Sequence, residues 1–136
     1  MWRGIVAALA ALAVGACSAT SGLETCGIID SQSLTPTARN IHPLEVAAVD
    51  GQNVLPKEHL RLAPGTHELK VYELIKDPRL LLASRHRGES KMLTVEIDAD
   101  EAYYLGAEFL EDKRYSMHNE YWRPVVWKKE KRACHP

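Results

Sequence analysis

Residues 59–74, HLRLAPGTHELKVYEL, constrain the fold of this chain more than any other stretch. Leu60 and Leu62 alternate with polar neighbours, and Pro64-Gly65 supplies the two central residues expected of a type II turn. Beyond the turn His67, Leu69 and Val71 point one way and Glu68, Lys70 and Tyr72 the other. A period of two is that of a strand with one buried face. The same texture recurs from Ile41 onward. Val46 to Val49 runs into Asp50-Gly51, a pair whose backbone accepts positive φ at low cost. Leu93, Val95 and Ile97 alternate in MLTVEID, and Tyr103, Leu105, Ala107 and Phe109 in AYYLGAEFL. The link between these two, DADE, is short and polar and suits a hairpin. YWRPVVWKKEK is apolar and then charged, and Pro124 inside it breaks any helix and marks an edge or a bulge. Only Pro78 to Arg87 offers room for a helix. Six or seven short strands with regular turn signals predict an all-β fold, an antiparallel β-sandwich over residues 41–136.

The N-terminus has a different character. Met1-Trp2-Arg3 carries one positive charge and Gly4 to Ala16 carries none. As a helix this apolar run would reach only ~20 Å, short of the ~30 Å hydrocarbon core of a bilayer. A positive start, a short apolar middle and small residues before a cut describe a secretory signal peptide over residues 1–16. The run closes on VGAC, Val14 to Cys17, which resembles the lipobox of bacterial lipoproteins, with Val14 where leucine is more usual. That resemblance implies diacylation of the Cys17 thiol, cleavage before Cys17, and acylation of the new amino terminus. Two or three acyl chains hold a protein durably, at ~0.8 kcal/mol per buried methylene, where one holds it reversibly. Ser18 in the next position implies passage to the outer membrane. Residues 17–40, rich in Ser, Thr and Gly, are expected to form a lipid-anchored tether, flexible in its first part and at least partly docked after Cys26 if that cysteine forms a disulfide.

If Cys17 carries lipid, Cys26 and Cys134 remain in an oxidising compartment, where paired cysteines usually join. The termini of small domains often lie close together, so a Cys26–Cys134 disulfide is expected. The alternative, a metal site using His135 beside Cys134, lacks the tight double spacing of a zinc site.

The segment VDG…LRLAPGTHELKV resembles the PEGA and transthyretin-like β-sandwich modules of bacterial surface proteins. Asp50, Gly51, Leu62, Pro64, Gly65, His67, Leu69 and Val71 carry the likeness. YYLGAEF and WRPVVW resemble strands of small proteobacterial lipoproteins. Such modules imply binding or scaffolding.

Chemistry is sparse by comparison. No G-x-S-x-G elbow, G-x-G-x-x-G turn, phosphate-binding lysine loop or H-E-x-x-H helix occurs. The histidines, His42, His59, His67, His86, His118 and His135, include no i, i+2 or i, i+4 pair. His67, on the apolar side of its strand, reads as a hydrogen-bonded inner histidine. Glu108, Glu111 and Asp112 read as solvated carboxylates near chain turns. Two basic stretches, Lys76 to Lys91 and Lys128 to Arg132, suit a solvated tip and a charged sheet edge; the functional alternative is contact with envelope anions. Trp122 and Trp127 have opposite strand parity, so both face the core only if Pro124 introduces a bulge.

With 17 basic against 18 acidic side chains in 136 residues, no charge excess points to nucleic acid. The expectation is a lipid-anchored envelope protein that binds or scaffolds without catalysis. Its partners would be the membrane, through covalent lipid, and an envelope protein, with no nucleic acid and no cofactor or metal. The alternatives are a cell-wall or outer-membrane enzyme and a periplasmic ligand or metal carrier.

Overall fold

The computed structural model describes residues 25–57, 59–83, 88–116 and 118–136. The signal segment, Cys17 and the first part of the expected tether lie outside them. Two sheets, of five and four strands, pack face to face as a β-sandwich. In chain order the strands are β1 (Gly27–Asp30), β2 (Ile41–His42), β3 (Leu44–Val49), β4 (Gln52–Asn53), β5 (His59–Leu62), β6 (Gly65–Glu73), β7 (Lys91–Ile97), β8 (Glu101–Phe109) and β9 (Trp122–Lys131). One short helix, α1 (Pro78–Ala83), falls inside the run where a helix was expected.

The four-stranded sheet runs β4-β3-β6-β7, antiparallel throughout. Its β3–β4 turn is the Asp-Gly pair, with φ of 50° at Asp50 and 82° at Gly51 and Val49 paired to Gln52. Two consecutive positive φ values are what a two-residue hairpin needs, and glycine supplies the second without strain. The five-stranded sheet is built on β8. Strand β9 pairs antiparallel along one flank of β8; β1 and β2 share the other, and β5 lies outside β1.

Between the sheets lie Leu44, Leu69, Val71, Ile97, Leu105, Phe109 and Trp122, all nearly inaccessible. At ~1.5–3 kcal/mol for each large apolar side chain fully buried, this layer supplies most of the driving force. The inward sets Leu69/Val71, Leu93/Val95/Ile97 and Tyr103/Leu105/Ala107/Phe109 follow the alternation of the sequence. A second cluster covers the outer face of the five-stranded sheet: Cys26, Ile28, Ala102, Tyr104 and Cys134, with Trp127 against them.

Four local expectations are corrected. First, the folded body starts before residue 41, because Gly27–Asp30, inside the expected tether, is a strand buried at every residue. Ile29 faces the inter-sheet core and Ile28 the outer cluster. A short strand buried on both faces has no alternation to announce it. Second, β1 runs parallel to β8, with Ile28 beside Ala102 and Asp30 beside Tyr104, so the five-stranded sheet is mixed. Third, DADE makes no hairpin. It carries the chain from β7 in one sheet to β8 in the other, with Asp100 at φ 55° and the Asp98 N–H donating to Tyr103 Oη at 2.7 Å. The Pro64-Gly65 corner likewise passes the chain from β5 to β6 across the sandwich, with Gly65 at φ 129°. Fourth, the β9 bulge lies at Trp127 rather than Pro124, because Tyr104 pairs with Lys128 while Leu105 pairs with Val126. The extra residue sends Trp122 into the main core and Trp127 to the outer cluster, where its ring centroid lies 5.7 Å from that of Tyr104.

Candidate functional site

The sandwich has two unlike ends. At one, the Cys26–Cys134 bond closes the chain, with Cα atoms 5.5 Å apart. Asp100 ties the same end together: its N–H donates to Cys26 O at 2.9 Å and its Oδ1 accepts the Cys134 N–H at 2.9 Å. His67, near the start of β6, belongs to this end. Its Nδ1 lies 2.6 Å from Asp50 Oδ2 and its Nε2 2.6 Å from Ala63 O, which makes it the hydrogen-bonded inner histidine that its strand parity suggested. Burial pulls its pKa down, but the bonds to Asp50 and Ala63 outweigh that and raise it above the ordinary 6.5.

The other end carries a cleft of about 500 Å³ lined by Thr37, His42, Pro43, Leu74, Lys76 and Asp77. Each wall has a local cause. Strand β2 pairs His42 with Ala107 and Ile41 with Glu108 on the far half of β8. Their close approach needs Gly106, where a Cβ would stand 2.4 Å from Ile41 Cγ2 and 3.2 Å from His42 O. The chain leaves β6 at Glu73 and is stitched back by the Leu74 N–H donating to Pro43 O at 3.0 Å. Asp77 caps α1, its Oδ1 accepting the Arg79 N–H at 2.9 Å, with Pro78 in the first helical position.

Arg79 organises the rim. Its Nε and Nη2 donate to the two Asp77 oxygens at 2.9 and 2.7 Å, and its Nη1 lies 2.6 Å from Glu111 Oε2. Nη2 also reaches Asn40 Oδ1 at 3.2 Å, and the guanidinium carbon sits 5.1 Å from the centre of the Phe109 ring. This fork is the geometry in which arginine holds a carboxylate most firmly. It brings the Asp77 pKa down from 3.8 to about 2. His42 is the contrast to His67. It is only 6% exposed, and its buried Nε2 has no hydrogen-bond partner among the described residues. Burial lowers its pKa below 6.5, opposed by the Asp77 charge, so the ring is neutral at pH 7.

The other residues singled out in the sequence are dispersed. Glu108 pairs with Arg123 at 2.9 Å and Glu111 with Arg79, while Asp112 is exposed. The basic end of β9 is matched by acids: Lys128 with Glu130 at 3.2 Å, Lys129 with Asp98 at 3.2 Å and Lys131 with Glu101 at 3.3 Å. His118 and His135 are exposed, and His59 lies 3.4 Å from the buried Asp30 carboxylate. Among the described residues no three His, Cys, Asp or Glu side chains could together hold a metal ion. Nor, among them, is any helix long and apolar enough to cross a membrane.

Sequence reasoning did not single out the cleft. Thr37 lies in the expected tether, and His42 was one histidine among several. The one local signal was Asp77-Pro78-Arg79, an N-cap, a first-turn proline and a cation, which marks a helix start and so a fixed corner. No protein-family model, curated protein or solved structure gives a significant match to this chain.

Proposed function

We propose that this chain is a lipid-anchored protein of the bacterial envelope, held by acyl groups on Cys17, that binds a ligand in the His42 cleft without catalysing its conversion. The observation that carries this reading is the separation of the two ends. Cys26, nine residues after Cys17, is bonded at one end, while Ile41 and His42 lie beside the far half of β8. From Ala102 to Ala107 along β8 is roughly 17 Å at ~3.4 Å per residue. A tether from Cys17 to Cys26 reaches at most about 30 Å when extended. An anchor at that end leaves the cleft, at the opposite end, free to face the periplasm. The Asp50-Gly51 and Pro64-Gly65 turns, which carry the resemblance to PEGA-like modules, favour a binding role. So does the rim itself, where Arg79 already occupies the Asp77 and Glu111 carboxylates that an enzyme would leave reactive. Ser18 favours the outer membrane.

Mass spectrometry of the protein from its native host tests the anchor. A mature chain beginning at a triacylated or diacylated Cys17 is expected, with Cys17→Ala moving to the soluble fraction. An unmodified residue 17, or a Cys17→Ala variant still held in the membrane, overturns the reading.

A further inference from the structure

We propose that the guest of the His42 cleft is a small amphipathic carboxylate, its apolar body against Leu74 and Pro43 and its anionic end paired with Lys76; this deepens the binding reading and rests on the same cleft. The volume, about 500 Å³, is that of a site for a small molecule. Leu74 is 42% exposed although it lines a concave wall, so a guest that covers it removes apolar surface from water.

The charges select the sign. Asp77, the one acid of the lining, is gripped by both ends of the Arg79 fork, and the same guanidinium holds Glu111. Neither carboxylate is left to draw in a cation. Lys76, exposed at the wall, makes no ion pair within the described residues. One free ammonium suits a single negative charge. A phosphate ester would need more donors than one lysine and a neutral imidazole can give. His42 supplies a second polar contact. Its ring lines the same wall, and its Nε2 has no hydrogen-bond partner among the described residues. A neutral imidazole carries one N–H, which a carboxylate oxygen can accept. Satisfying a buried polar atom of this kind recovers a desolvation penalty already present in the empty site.

The test is a nuclear magnetic resonance titration of the ¹⁵N-labelled full chain, purified from whichever fraction holds it. Sodium hexanoate is the probe, and hexanamide is its uncharged counterpart of nearly the same shape. Hexanoate should move the amide resonances of Thr37, His42, Leu74, Lys76 and Asp77. Hexanamide should bind about fivefold more weakly, and Lys76→Gln should weaken hexanoate about fivefold while leaving hexanamide unchanged, the worth of one exposed charge pair. Leu74→Asp, at an exposed position, should weaken both probes. Equal affinity for hexanoate and hexanamide overturns the carboxylate assignment. Hexanoate shifts that fall elsewhere, or none at millimolar probe, overturn the site. Neither failure touches the modification of Cys17, and an unmodified Cys17 leaves this titration valid, so the two readings fail separately.

Discussion

Each end of the sandwich holds a histidine, and their surroundings push the two ring pKa values in opposite directions. His67, at the disulfide end, has an oxygen acceptor at each ring nitrogen, which favours the doubly protonated ring. His42, at the cleft end, is buried deeper, keeps an unpartnered nitrogen and is held neutral. The disulfide end has its bonds made: a covalent bridge, Asp100 joining Cys26 to Cys134, and Asp50 joining β3 to β6. The cleft end keeps an open concave wall, an exposed leucine and a lysine that makes no ion pair among the described residues.

The largest effect should come from opening the closed end. The Cys26–Cys134 bridge joins residues 108 apart in the sequence. In the chain-entropy account, cross-linking a loop of that size stabilises by about 4–5 kcal/mol. Denaturant unfolding with and without reductant, or of Cys26→Ser with Cys134→Ser, should therefore show a loss of several kcal/mol. A loss under about 1 kcal/mol would mean that packing alone holds this end.

Gly106→Ala should give the next largest effect, at the cleft end. The new Cβ would stand 2.4 Å from Ile41 Cγ2 and so push β2 away from β8. Overpacking of this kind costs about 1–3 kcal/mol. The amide resonances of Ile41 and His42 should shift most, with a smaller change around Trp127, 3.1 Å from the new Cβ. Equal disturbance at both ends would deny that they are independent.

The smallest effects separate the histidines by pH. The folded pKa of His67 is raised above 6.5, so its stabilisation is complete below pH 6.5 and is lost as pH rises through the folded value. The folded pKa of His42 is lowered, so stability is complete above pH 6.5 and falls as pH drops from there toward the folded value. His67→Gln should flatten the alkaline side of the stability curve and His42→Gln the acid side. Both variants changing the same side would erase the distinction.

The inward-facing residues were readable because a strand with one wet face must alternate, and Leu69, Val71, Leu93, Val95, Ile97, Leu105 and Phe109 do. Asp50-Gly51 was readable because positive φ at two successive residues demands that chemistry. Strand β1 was not, because Gly-Ile-Ile-Asp is buried on both faces and shows no period. The route of DADE was not either, since a short polar link serves a hairpin and a crossing between sheets equally well. The cleft was the least legible. Thr37 comes from the β1–β2 connection, His42 from β2, and Leu74 and Lys76 from the connection between β6 and α1, and each looks ordinary for a loop or strand end until β2 docks on β8.

Taken alone, the amino-acid order determined the strand faces, the turn sites and the β class, because these depend on neighbours within a few residues. It also carried the pattern from which a lipid anchor at Cys17 is proposed. Which strands share a sheet and which histidine is left with an empty nitrogen were decided only by tertiary packing. Those properties depend on distances between residues far apart in the chain, and no local pattern encodes them.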